Sequence, residues 1–172
     1  MQYSEMHFGK FQYNGLYYYL RDDTINHLVL PTIIGNVECV PISPVLKPSF
    51  VQCCIKQNHL TVTGLSACIR SNDLMQALAT GFQPDHQESI PYSIFTEPVF
   101  TDLIVLTYDE LDIPIDFSGK LGANQIFVDE IRYPNAITHK EVSTFIFGNG
   151  TLDLEISTIQ QSKEKVISMR TW

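Results

Sequence analysis

FQYNGLYYYL, Phe11 to Leu20, decides the fold class. Two runs of large apolar residues flank one Asn-Gly pair. Both residues of that pair tolerate the positive φ that a type I′ turn demands, so Asn14-Gly15 predicts a two-residue hairpin. Tyr13 then faces Leu16, Gln12 faces Tyr17 and Phe11 faces Tyr18. One face collects Phe11, Tyr13, Leu16, Tyr18 and Leu20, a core set. The other carries Lys10, Gln12, Tyr17 and Tyr19, the mixture of a half-exposed sheet face.

The same logic applies to VSTFIFGNGTLDLEIS, Val142 to Ser157. A turn at Asn149-Gly150 sets Phe147 against Leu152, Phe145 against Leu154 and Ser143 against Ile156. The apolar members form a buried face. Asp153 and Glu155 are expected outside, beside Thr144 and Ile146, because a slip of one residue would turn both acids inward. A third hairpin is expected in Val51 to Leu65. Its turn falls at Gln57-Asn58 or Asn58-His59, and either choice keeps Val51, Cys53, Ile55, Leu60 and Val62 on one face. HLVLPTII, VECVPI, TDLIVLTY and QIFVDEI are further strand candidates.

Helix signals are scarce. Ser71 to Gly81 is the best stretch: Ser71 or Asn72 can cap, Asp73 suits the positive end, and Gly81 can close it. FQPDHQESIPYSIFTEPVF follows and reads as a proline-punctuated loop or crossover. The last segment, Ile159 to Trp172, fits either a helix or a strand. The reading is a mainly β chain of antiparallel hairpins, a sandwich or half-barrel, with one short helix. Residues 1–172 are one domain, whole or as two β halves joined by a loop near 81–98. Proline-interrupted strands before two of the hairpins hint at an internal duplication.

Charge is uneven. The formal net charge is −8. Up to Pro84, five acids meet five bases, whereas Asp85 to Gln160 holds thirteen acids against three bases. That field disfavours nucleic acid and anionic membranes, since phosphate binding needs basic residues, and it favours a basic partner or simple solubility. No run approaches the ~20 apolar residues of a membrane helix. The opening MQYSEMHFGK lacks the basic and apolar regions of a secretory signal. Cys39, Cys53, Cys54 and Cys68 contain no C-x-x-C spacing, and reduced thiols fit a cytoplasmic setting.

Catalytic patterns are absent. GLSA, Gly64 to Ala67, lacks the second glycine of a nucleophile elbow. His7, His27, His59, His86 and His139 stand singly, without metal-ligand spacing. YDELDIPID, Tyr108 to Asp116, lacks the central glycine of a calcium loop. No phosphate cradle occurs. No catalytic residue, metal site or cofactor is therefore expected, and the chain is not read as an enzyme. The candidate partner-binding residues are Asp109, Glu110, Asp112, Asp116, Asp153 and Glu155, with Tyr17 and Tyr19 as exposed aromatic anchors.

Taken together, FGKFQYNGLYYYL, LDIPIDFSGKL and EVSTFIFGNGTLDLEI resemble small cytosolic immunity proteins of bacterial polymorphic and contact-dependent toxin systems. The resemblance is one of layout and hairpin texture, and it transfers no contact residue. It implies a cytoplasmic, non-enzymatic protein that neutralises a cognate toxin by covering its surface. The acidic half then suits a basic, nuclease-type toxin as partner. The alternatives are a β-barrel that binds a small molecule among its tyrosines, and a structural or assembly module.

Overall fold

The computed structural model describes residues 7–43, 46–90, 102–125 and 140–160. The chain is mainly β. In order it forms β1 (Gly9–Tyr13), β2 (Leu16–Leu20), α1 (Thr24–Ile34), β3 (Ser49–Lys56), β4 (His59–Arg70), a 3-10 turn (Ser71–Asp73) running into α2 (Leu74–Leu78), β5 (His86–Ile90), β6 (Leu103–Tyr108), β7 (Ile113–Pro114), β8 (Gly119–Gln125), β9 (Lys140–Gly148) and β10 (Thr151–Gln160).

Seven strands close into a ring in the order β4-β3-β1-β2-β8-β9-β10, with β10 returning to β4 where Thr151 pairs with His59. The half-barrel expectation is thus completed to a closed barrel. One neighbour pair, β1 with β3, is parallel (Gly9 with Val51 through Gln12 with Cys54). α1 lies on the crossover that parallel pairing requires.

All three expected hairpins form. Asn14 and Gly15 have φ of 51° and 75°, and Phe11 pairs with Tyr18 as expected. Leu16, assigned to the core face, is 44% exposed beside its turn. The second turn is Gln57-Asn58, with φ of 50° and 64°. Ile55 is only half-buried, while Val51, Cys53, Leu60 and Val62 are buried. The third turn, Asn149-Gly150, has φ of 51° and 84°.

The third hairpin corrects the expected register. Leu152 pairs with Phe147, but a bulge follows, so Leu154 pairs with Ile146, Glu155 with Phe145 and Ile156 with Thr144. Leu154 and Ile156 therefore stand outward at 52% and 47% exposure. Glu155 shares the side of Phe145 yet remains exposed. β10 meets β4 only at its first residue, so no strand covers Glu155 from the far side, and the desolvation penalty that argued against the slip does not arise.

HLVLPTII is a further correction: it lies within α1 and is not a strand. Its β-branched residues favour strand by propensity, and Pro31 disfavours a helix interior. However, Ile25, Val29 and Ile33 recur every four residues, and burying them with Ile34 gains ~1.5–3 kcal/mol each, which exceeds the ~3 kcal/mol that an internal proline costs. Thr24 N–H is held by Asp22 Oδ1 at 3.0 Å. The helix expected after Ser71 is present as α2. VECVPI contributes only an isolated bridge, Cys39 to Ile69. TDLIVLTY supplies β6, and part of the expected loop after Gly81 is the exposed strand β5. In QIFVDEI the residues after Gln125 lie outside the described residues, as do those after Gln160.

The barrel interior is filled by side chains. Phe145 meets Phe11 at 4.8 Å and Tyr18 at 5.4 Å between ring centroids, both edge-on, and Leu60, Val62, Leu121 and Phe147 complete the packing. Ile25, Val29 and Ile33 of α1 belong to the same core. A side chain at Gly150 would run into the Ile115 carbonyl oxygen and the His59 ring, whereas one at Gly15 would meet nothing. Gly15→Ala is expected to cost about 1 kcal/mol from positive-φ strain alone. Gly150→Ala is expected to cost a further ~1–3 kcal/mol, because the seam cannot open without strain. Urea unfolding of the two variants checks this, and equal losses would contradict a tight seam.

Candidate functional site

The acidic stretch is an extended segment laid along β4. Leu111 N–H bonds to the Thr63 carbonyl at 3.0 Å and Ile115 N–H to the Leu60 carbonyl at 2.9 Å. Between them β7 pairs Ile113 with Val62 and Pro114 with Thr61. Alternation then sorts the side chains. Leu111, Ile113, Ile115 and Phe117 turn toward the core, while Glu110, Asp112, Pro114 and Asp116 are exposed. Pro114 has no N–H and is tolerated because β7 is a two-residue edge piece.

Three acids of this region lie near a basic side chain. Asp112 Oδ1 lies 3.1 Å from Lys56 Nζ, Asp116 Oδ1 lies 3.8 Å from His59 Nε2, and Asp109 Oδ2 lies 3.3 Å from His86 Nε2. Asp109 N–H also donates to Asp85 Oδ2 at 2.6 Å, so the two carboxylates share one corner. The Lys56–Asp112 pair is exposed on both sides and is worth at most ~1 kcal/mol. At 3.8 Å Asp116 is too far to bond His59, whose buried Nε2 has no hydrogen-bond partner among the described residues. Lys56, Gln57, His59, Thr61, Asp112 and Pro114 line an open concavity of about 790 Å³ against this seam.

Asp153 is exposed and lies over Gly148, next to the Asn149-Gly150 turn. That turn is tied to the same segment: Asn149 N–H bonds to Ser118 Oγ and Gly150 N–H to the Phe117 carbonyl, both at 2.8 Å. The structure thus gathers Asp112, Asp116 and Asp153 around the closing seam. Glu155 follows beyond the bulge, on the other side of β10 from Leu154 and Ile156.

Tyr17 and Tyr19 stand on the outer wall of β2. Tyr17 is 44% exposed with Lys10 Nζ 4.7 Å from its ring centre, and half-buried Tyr19 stacks on His7 at 3.8 Å. A cleft of about 280 Å³ between Lys10, Tyr17, Gln52, Cys54 and Lys56 joins this wall to the seam, because Lys56 lines both hollows. Sequence reasoning missed Lys56, His59, Asp85 and His86. Their pairings span tens of residues, and no local pattern marks them.

The thiols are held away from reactivity. None of the four cysteines forms a disulfide. Burial pushes Cys39 up to about 11 and raises Cys53 and Cys54 as well, the opposite of the shift that makes a nucleophilic thiolate. Burial also pushes the Tyr108 hydroxyl up to about 12. Among the described residues no group of three His, Cys, Asp or Glu side chains could hold a metal ion. Nor is any described helix long and apolar enough to cross a membrane. Comparison with protein-family models, curated proteins and solved structures gives no match.

Two side-chain oxygens of the core, Asn26 Oδ1 and the Tyr108 hydroxyl, have no partner among the described residues. Asn26 is buried on α1, and its Nδ2 donates to the Phe8 carbonyl at 3.0 Å and to Ser49 Oγ at 2.9 Å. Its Oδ1 has no partner among the described residues, at a cost on the order of 1–3 kcal/mol.

Thiol labelling gives a direct check on this geometry. Methyl methanethiosulfonate is expected to modify half-exposed Cys54 first and Cys39 more slowly, and to leave buried Cys53 and Cys68 intact until the protein unfolds. Mass spectrometry of timed samples reads the order, and early labelling of Cys53 would contradict the barrel wall.

Proposed function

We propose that this chain is a specific protein-binding module, an immunity-type protein that acts in the cytoplasm and neutralises a cognate, basic, nuclease-type toxin by occupying its surface. The observation that carries this reading is the outward row Glu110, Asp112 and Asp116, flanked by Asp85, Asp109 and Asp153 around one seam. Stability gives no reason to gather exposed like charges, whereas a partner that must hold phosphate carries a basic surface complementary to them. Tyr17 lies along the same wall and offers the large amphipathic contact favoured at interface centres. Glu155 contributes to the field from β10, and Tyr19 is the second aromatic contact. The proposal assigns the chain no turnover, no cofactor, no nucleic-acid ligand and no membrane contact. The filled barrel interior, with Tyr18 packed among phenylalanines, argues against the small-molecule barrel as the alternative.

The test pairs association kinetics with salt. The partner to be used is any toxin-like protein found encoded beside this gene, and the variants are Asp109→Asn, Glu110→Gln, Asp112→Asn and Asp116→Asn combined, and Tyr17→Ala with Tyr19→Ala. The neutralised set is expected to associate ~10- to 1,000-fold more slowly at low salt and to lose most of its salt dependence. Its unfolding free energy should move by no more than about 1 kcal/mol, because the pairs removed are exposed. The tyrosine variant is expected to dissociate faster. Unchanged rates in both sets would move the contact surface elsewhere, and absence of a toxin-like neighbour would remove the partner.

A further inference from the structure

We propose that Asn14-Gly15 is a self-modification site, at which the turn of the first hairpin converts without an enzyme to an aspartyl or isoaspartyl linkage. The matching turn Asn149-Gly150 is held back by the barrel seam. The chemistry does not depend on the toxin reading.

Of the eight asparagines in the chain, only these two precede glycine. An asparagine side-chain carbon and the next main-chain nitrogen can close a five-membered ring, an intramolecular reaction that needs no second reactant brought to it. A side chain on the following residue shields that nitrogen, and glycine has none. Elsewhere the following residue is larger, as at Asn36-Val37 and Asn58-His59. The sequence marks both Asn-Gly pairs equally. Their backbones are alike as well, with φ of 51° and 75° in the first turn and 51° and 84° in the second.

Their surroundings differ. Attack requires the glycine nitrogen to lose its proton and turn onto the asparagine side chain, so hydrogen bonds held by that peptide unit and its neighbours oppose it. At the second turn three bonds of 2.8 Å do so: Asn149 N–H to Ser118 Oγ, Gly150 N–H to the Phe117 carbonyl, and Leu60 N–H to the Gly150 carbonyl. Gly150 is also buried, with the Ile115 carbonyl oxygen and the His59 ring against it. At the first turn Asn14 and Gly15 are both exposed, and nothing lies within 4 Å of where a Gly15 side chain would begin. Neither residue has a hydrogen-bond partner among the described residues.

The step balances with water alone. Hydroxide removes the Gly15 N–H proton, and the freed electron pair bonds to Asn14 Cγ. The Cγ–Nδ2 bond breaks, and the departing nitrogen takes a proton from water, leaves as ammonia and restores the hydroxide. Water then opens the cyclic imide. Cleavage between the imide nitrogen and Cγ leaves an aspartyl side chain, whereas cleavage at the main-chain carbonyl carbon routes the backbone through Cβ. Nothing is oxidised or reduced. The aspartyl form keeps the two-residue loop and adds a negative charge at its tip. The isoaspartyl form lengthens the loop by one methylene, so Tyr13–Leu16 and Gln12–Tyr17 lose the turn that set their register. Modification at the tip thereby reaches the wall that carries Tyr17.

The test compares the two sites in one molecule. The full chain is incubated in mildly alkaline buffer, native or in concentrated urea, and timed samples are digested in mildly acidic buffer and read by mass spectrometry. The rate in urea is each site's own reference. Folding is expected to slow Asn149 at least ~10-fold more than Asn14, because the seam must open before Asn149 can react. Protein isoaspartyl methyltransferase with a labelled methyl donor is expected to mark the first hairpin of the native sample. Gly15→Ala is expected to slow Asn14 conversion several-fold and to leave Asn149 unchanged. Equal slowing at the two sites, greater slowing at Asn14, or a native Asn14 that stays intact while the urea sample converts would overturn the proposal.

Discussion

Seven strands cannot close into a ring by antiparallel pairing alone, because each antiparallel neighbour reverses direction and an odd number of reversals does not return to the start. The parallel pair β1–β3 removes one reversal and leaves six. That single pair makes the barrel possible, and it exists because α1 carries the chain from the end of β2 back to the start of β3. Asn26 anchors this crossover at both strands, to the carbonyl before β1 and to the first residue of β3. The helix is therefore part of the closure.

The far side of the ring depends on β4. Of its twelve residues, those from His59 to Ala67 pair with β3 along one edge. The other edge is divided among β10 at His59, β7 at Thr61 and Val62, and β6 from Leu65 to Arg70. β4 thus belongs to the barrel at its start and to an outlying sheet with β6 and β5 at its end. The gap between β10 and β6 is what the acidic segment fills, held by Leu111 and Ile115 through backbone bonds. Its inward apolar residues seal the core, and alternation leaves no place for its acids except solvent. Closing the barrel explains why these side chains face outward, not why they are acidic.

The seam and the region beside α1 differ in charge. At the seam, Lys56 offsets the charge of Asp112, while Asp116 and Asp109 lie near the rings of His59 and His86, so only part of the local field is balanced within the molecule. Beside α1, the carboxylates of Asp23 and Glu38 are each half engaged, and a buried amide oxygen stands behind them unpaired. Count of charge alone would rank the seam higher. Unsatisfied hydrogen-bonding capacity does not separate them, because buried His59 Nε2 at the seam and buried Asn26 Oδ1 beside α1 both lack a partner among the described residues.

What the sequence by itself determined was local: three Asn-containing turns, the strands they join, and the mainly β class, since positive φ and period-two alternation are properties of a few adjacent residues. The sequence singled out Glu110, Asp112 and Asp116 as contact residues, but their alternation with inward Leu111, Ile113 and Ile115 came from the pairing along β4. Tertiary structure decided the rest. HLVLPTII became helix because packing overrode the strand propensity of its β-branched residues and the helix-breaking tendency of Pro31. The bulge after Leu152 turned Leu154 and Ile156 outward because β10 has β4 beside it only at Thr151, so the burial that would have enforced the simple register is missing. The parallel pair, the closing seam and the clefts join residues far apart in the chain, and no local pattern encodes such meetings.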